Sequence, residues 1–270
     1  MIKGENVIIR EGSVIGNDVI IEDDVFIDYN CIIRENVTIK KGSTIGANCI
    51  IGEYQMDFYK NRSGLNVHPV VIGENAIIRS GSIIYGDCTI GKNVQTGHQV
   101  TIRENTVLGD HVSIGTLSDI QGDCVIGDYS RLHSNVHIGQ HSKVGKYVWI
   151  YPYVILTNDP TPPSEYFAGV EVEDFAVIAT GSIVMPGIRI ESDTLVAAGA
   201  IVTKDVLKGN VVGGNPAKVI SMIDKIKNRF TGEQVYPWRY TFDRGMPWQE
   251  IGYTEWENNA NESDYTGKRE

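Results

Sequence analysis

Aliphatic side chains recur at every sixth residue from Ile9 to Val202, with two interruptions. The phase holds at Ile9, Ile15, Ile21, Ile27, Ile33, Ile39, Ile45 and Ile51, resumes from Ile72 to Leu156 and again from Val172 to Val202, with Thr96 as the polar exception. This amounts to about 29 hexads, a run that predicts one elongated solenoid in which each repeat packs on its neighbours. Three places after the aliphatic stand residues that tolerate positive φ: Gly12, Asp18, Asp24, Asn30, Asn36, Gly42, Asn48, Asn75, Gly81, Asp87, Asn93 and Asn105. The predicted unit is therefore a short strand followed by a corner.

On these hexads the chain resembles the hexapeptide-repeat proteins, over about three quarters of its length. The resemblance implies an all-β fold, a left-handed parallel β-helix in which three hexads close one triangular coil of roughly 18 residues. The β-helix is expected over residues 1–209, with excursions at 53–71 and 158–171. A terminal segment with a capping helix is expected over 210–230, and an extended, irregular, aromatic-containing tail over 231–270.

Taken in threes, the hexads differ by face. The aliphatics Ile72, Ile90, Leu108, Ile126 and Val144 are each followed by glycine, which reads as scaffold. The next face places Arg79, Ser80, His98, Thr116, His133, Ser134 and Tyr151 outward. The third carries Tyr85, Arg103, Glu104, Gln121, Gln140 and Asn158, and coil stacking predicts one column of Glu104, Gln140 and Asn158. Both excursions leave from the corner after this third face.

Higher up, Ala179, Thr180, Gly181, Ala197, Ala198 and Gly199 replace large polar groups on the face of Tyr151 and leave backbone exposed. The stretch VTKDVLKGNVVGGNPAKVI is similar to the terminal signature of CoA-dependent hexapeptide acyltransferases. By that resemblance a pantetheine arm lies along Ala179, Thr180, Ala197 and Ala198, and Lys218, near Asn215 and assisted by Lys204, meets the nucleotide phosphates. A crossing chain of amides needs small neighbours, and phosphates need cations. Beyond it, Asn215 can cap and Pro216 can start a helix whose apolar face is Val219, Ile223, Ile226 and Phe230. The tail holds Trp238, Trp248 and Trp256 without periodicity, which suits packing across this subunit or its neighbour, and 258–270 is expected to fray.

The segments GTLSDIQGDCVIGDYSRLHSNVHIG and VWIYPYVILTNDPTPPS resemble the N-acyltransferases of nucleotide-linked amino sugars, those acting on dTDP-bound amino-deoxy sugars, with UDP left open. The resemblance implies acyl-CoA as co-substrate, acetyl by default, and a homotrimer with active sites between subunits. A neutral sugar amine would attack the thioester, so alignment and a proton acceptor matter more than a strong base. His133 is the candidate for proton handling, Glu104 for holding the amine and Asn158 for the carbonyl. Arg79, Ser80, His98 and Arg103, with Gln140, are candidates for the sugar or diphosphate. A hydroxyl acceptor, with His133 as an essential base, is the second reading. A zinc carbonic anhydrase built on His98, His133 and His137 fits poorly, because ligands on stacked coils should differ by multiples of the coil length and 98 to 133 does not. A silent scaffold or nucleotide-sugar binder is a further alternative. His111 and His141 fall in the corner slot, where a structural role is expected.

Charge narrows the partners. The net charge of −10 and pI near 5.1 argue against nucleic acid and anionic membrane surfaces, though a local Arg can still bind phosphate. No apolar run is long enough to span a bilayer, and Met1 to Arg10 lacks a signal peptide's pattern, so a cytoplasmic protein is expected. Cys31, Cys49, Cys88 and Cys124 share an inward slot with Val and Ser and read as buried thiols, with a Cys31–Cys49 disulfide the open alternative.

Overall fold

A hexad with one inward aliphatic and one corner leaves room for strands of about two residues. The computed structural model, which describes residues 1–61 and 68–266, is built from such strands, beginning with Ile2–Lys3, Ile8–Ile9 and Val14–Ile15. Successive strands join successive sheets, so the chain winds as a parallel β-helix with three sheets of 10, 12 and 10 strands. Regular coils stack in parallel with partners 18 residues apart, as Thr89 with Val107 and Ile90 with Leu108. The glycine-rich face forms the first sheet and the two polar faces the second and third.

The aliphatic row points inward and merges into one continuous core from Val19 to Val212. Each fully buried isoleucine adds about 1.5–3 kcal/mol. Thr96 fits the row because its hydroxyl accepts the backbone N–H of Arg79 at 2.9 Å, so the polar exception is structural. The four cysteines are free and buried, and burial pushes the Cys49 and Cys88 thiols up to about 12.

All twelve predicted corner residues have positive φ. So do larger residues that the sequence did not single out, among them Leu117, Tyr129, Tyr147, Tyr153 and Phe175. At the corner between the first and second sheets they stack: His111 on Tyr129 at 4.4 Å, Tyr129 on Tyr147 at 5.6 Å, and Tyr147 on Phe175 at 4.9 Å. His141 also has positive φ.

The end of the solenoid corrects two expectations. No capping helix follows Pro216. Asn210–Gly213 extends the second sheet and pairs antiparallel with Lys218–Met222, followed by a 3₁₀ turn at Ile223–Lys225. An open sheet edge with unpaired N–H and C=O groups recruits the β-branched segment as a strand, and helical spacing of its apolar residues does not override that. Val219 is consequently exposed, and Phe230 is 93% exposed. Among the described residues the longest helix, α2, lies instead at Tyr253–Thr266 and runs into the stretch expected to fray. Nor is the tail extended: Trp238, Met246, Trp248 and Tyr253 fold back to form a second core with Tyr147 and Val177 of the same chain. Arg239 secures it through an ion pair with Asp193, and the Trp238 indole N–H donates to the Phe175 carbonyl at 3.1 Å.

Both excursions leave the third sheet, after Ile50–Glu53 and after Ile155–Leu156. The first contains a short helix, α1, at Met56–Lys60. The His68 ring joins it to the solenoid, Nδ1 lying 2.6 Å from Asp87 and Nε2 3.1 Å from Asp57. Burial alone would lower the His68 pKa, but hydrogen bonds to the two carboxylates outweigh it and raise it. A pKa raised on folding adds stability that is complete below the unfolded value and is lost as pH rises through the folded one. Hydrogen-exchange protection across Met56–Asn61 should therefore fall as pH is raised through and above the histidine range. In His68→Leu protection should start lower and lose that pH dependence; an unchanged profile would show that His68 does not hold α1.

Candidate active site

His133 follows the inward Leu132 on the second sheet, where the chain turns toward the third. From bottom to top, its column reads Arg79, Gly97, Gly115, His133, Tyr151, Ala179, Ala197 and Gly213. Tyr151 lies flat over the imidazole, with ring centres 4.7 Å apart and planes 13° apart. A Cβ on Gly115 would strike the His133 and Ser134 backbone, so glycine is needed for the coils to close there. Burial, and then the positive field of Arg131, hold the His133 pKa below its usual value. The imidazole is thus neutral at pH 7 and can accept a proton.

The tail completes a cavity of ≈ 910 Å³ over this column. His133, Trp149 and Tyr151 line it from the solenoid, and Tyr236, Trp238 and Phe242 from the tail. Arg131 fastens the two walls: its guanidinium lies 5.0 Å from the Trp149 ring centre, and Nη2 donates to the carbonyls of Arg244 at 3.1 Å and Gly245 at 3.3 Å. Burial pushes the Tyr236 phenol up to about 12, so it stays protonated. Sequence reasoning missed Arg131, Trp149, Tyr236, Phe242 and Arg244. Arg131 and Trp149 were findable, because both occupy the outward slot two places before His133 and Tyr151.

The other expected residues divide. Glu104 lies at a different corner, between the third and first sheets, and its carboxylate is held by Arg103 through bonds of 2.8 and 3.1 Å. Register brings Glu104, Gln140 and Asn158 onto one line, but the Gln140 amide donates to Asp123 at 2.7 Å, and the Asn158 carbonyl accepts from Ala168 as the second excursion returns. The width of the third sheet therefore separates His133 from Glu104 and Asn158. Arg79 and His98 are exposed on lower coils of the second sheet, with Ser80 half-buried between them. His137 pairs with Asp119 at 3.2 Å on the third sheet. Among the described residues no group of three His, Cys, Asp or Glu is placed to hold a metal ion.

At the upper end, Ala179 and Ala197 continue the His133 column, and Thr180 and Ala198 run beside them, both exposed. Nothing lies within 4 Å of a Cβ placed on Gly181 or Gly199, so the strip is open. It ends at the terminal hairpin that carries Lys218; Lys204, at the corner between the third and first sheets, lines a recess of ≈ 350 Å³ together with Lys218 and Asp205. Asn215 is exposed at the hairpin tip.

Comparison with known proteins gives two family matches: the bacterial transferase hexapeptide (six repeats) over residues 18–53 and the GMPPB C-terminal domain over residues 66–167. Among curated proteins, a 2,3,4,5-tetrahydropyridine-2,6-dicarboxylate N-acetyltransferase of Staphylococcus aureus is 38% identical over 84 residues, 31% of this chain and 34% of that protein. The chain thus spans about a third of the length of the curated relatives it matches. Among solved structures, an Arabidopsis UDP-N-acetylglucosamine acyltransferase matches at 18% identity and TM-score 0.39, covering 80% of this chain and 73% of that one. PerB from Caulobacter crescentus, solved with CoA and GDP-perosamine, matches at 17% identity and TM-score 0.22, covering 79% and 58%.

The low His133 pKa is directly measurable. In an NMR titration its ring protons should move with a midpoint below the ordinary histidine value. Replacing Arg131 by Gln removes a neighbouring cation that disfavours the imidazolium, so the midpoint should rise. A midpoint at or above the ordinary histidine value would refute the assignment.

Proposed function

We propose that this hexapeptide-repeat protein is an acyl-CoA-dependent N-acyltransferase, acetyl by default, acting on the amino group of a nucleotide-linked amino-deoxy sugar, with dTDP the leading nucleotide. One observation carries the reading: a half-buried imidazole shares its column with a strip of small residues that ends at the hairpin carrying Lys218. The strip suits a thin amide-bearing arm and lysines suit phosphates. The N-acetyltransferase activity named for the curated relatives is of the same chemical kind.

In this reading the acyl-CoA thioester lies near Tyr151, with its arm over Ala179, Thr180, Ala197 and Ala198 and its phosphates at Lys204 and Lys218. The neutral amine attacks the thioester carbon, forming the C–N bond. His133 accepts the proton released from nitrogen, the tetrahedral intermediate collapses with C–S cleavage, and the thiolate leaves and is protonated. Stacking on Tyr151 fixes the imidazole plane while leaving its nitrogens free to act. Glu104 and Asn158 would meet the same substrate only if a second copy presents its third sheet to this corner, so this reading takes the protein as a homotrimer with sites between subunits.

CoA should raise the melting temperature of the protein, and Lys218→Ala should reduce the rise. No response of the wild type to CoA would exclude acyl transfer from CoA. With an amino-sugar substrate, His133→Asn should keep a substantial residual rate that recovers at higher pH, because more of the amine is then neutral. Near-complete loss at every pH would favour a hydroxyl acceptor.

A further inference from the structure

The cavity under the tail is more elaborate than proton transfer requires. Its walls are aromatic, Arg244 stands on its lining, and Arg131 lies behind Trp149 beside it. Arg103 and Arg239 are each paired with a carboxylate, whereas among the described residues Arg131 and Arg244 form no ion pair. They lie close enough for the Arg244 charge to weigh on Arg131. Glu233, the one carboxylate on the cavity lining, bonds instead to the Thr231 hydroxyl at 3.1 Å. In a chain of net charge −10, an unneutralised pair of guanidiniums is a local reversal of sign. Planar, always charged and rich in donors, such a pair suits phosphate oxygens.

The aromatic walls specify the other half of the ligand. Trp149 packs edge to face with Trp238 and Phe242, at 5.9 and 5.4 Å, and all three rings present part of their surface to the cavity in different planes. A flat base stacks on such surfaces with little dependence on its hydrogen-bonding edge. The volume of ≈ 910 Å³ falls in the range of about 300–1,000 Å³ usual for small-molecule sites.

We infer that this cavity is the subsite for the nucleoside diphosphate of the acceptor: the base stacks among Trp149, Trp238 and Phe242, and the diphosphate accepts hydrogen bonds from Arg131 and Arg244. The sugar then extends toward His133 and Tyr151. The inference rests on the acyl-transfer reading above, and moves the nucleotide away from Arg79, Ser80, His98 and Arg103. Arg103 is already committed to Glu104, and Arg79 and His98 stand exposed on lower coils.

The test is tryptophan fluorescence of the full chain titrated with dTDP, UDP, ADP and CoA. The pyrimidine diphosphates should quench Trp149 and Trp238. Arg244→Gln should weaken them roughly tenfold or more, the usual effect of losing a charge-assisted hydrogen bond. The tail should stay docked in this variant, because it is the Arg244 carbonyl and not its side chain that meets Arg131; near-UV circular dichroism checks this. Phe242→Leu, a second variant, should weaken dTDP and UDP without altering their salt dependence. Lys218→Ala should leave their quenching intact while weakening CoA. Absence of quenching by dTDP and UDP, or their undiminished affinity in Arg244→Gln, would overturn the proposal. If ADP and CoA quench instead and lose affinity in Arg244→Gln, the cavity serves the nucleotide of CoA and the acceptor assignment falls. Pyrimidine diphosphate binding without acyl transfer to any amino sugar would keep the nucleotide site and overturn the activity proposed above.

Discussion

Each coil of this protein hydrogen-bonds to the coils above and below it, so the stack coheres only if the side chains enclosed by the three sheets fill a shared interior. The inward row of Ile, Val and Leu does this. Its strict spacing follows from geometry: a coil closes after three strands and three corners, and a residue out of phase would put an aliphatic in water or a polar group in the core. Thr96 is the test case. It enters the row because its hydroxyl takes over a backbone hydrogen bond from Arg79.

Once the interior is fixed, variation is confined to the corners and the outward slots. Tyr129, Tyr147 and Phe175 occupy corner positions with φ near +60°, which asparagine tolerates better. Backbone strain of this kind costs on the order of 1–3 kcal/mol per residue and persists only where surrounding contacts compensate. Here the contacts are the stack itself and the tail laid over it, with Trp248 5.1 Å from Tyr147 and Tyr253 5.7 Å from Phe175. The tail is thus tied to one corner of the solenoid by the residues that make that corner unusual.

The repeat made the solenoid, its corners and its division into faces legible, because a period of six is a statement about geometry. The candidate site was legible only where it continues a column. His133, Ala179 and Ala197 could be placed from phase alone, and Lys204 and Lys218 came from the terminal segment. What periodicity could not reach was the tail, which has no register to extrapolate, so Tyr236, Trp238, Phe242 and Arg244 could not be assigned to a wall of the cavity. The segment after Pro216 misled because Val219, Ile223, Ile226 and Phe230 keep helical spacing, while the open edge of the second sheet demanded a strand. Glu104 differs again: its column was visible, but the bond of its carboxylate to the neighbouring Arg103 was not.

A prism of stacked coils constrains what its surface can bind. Side chains on one column are spaced by about 4.8 Å per coil, while neighbouring corners are separated by a full sheet. From His133 to Gly213 the column climbs four coils, about 19 Å, without a large side chain above Tyr151. Such a surface favours a long, thin ligand lying along the axis over a compact one. The tail adds what a column lacks, a second wall facing the first, and it does so from the coil of His133 to that of Val177. Where the groove passes beneath that wall, a ligand would lose water on two sides, so the strongest selection should act on the part of a substrate nearest the imidazole and the weakest on the part lying along the open strip.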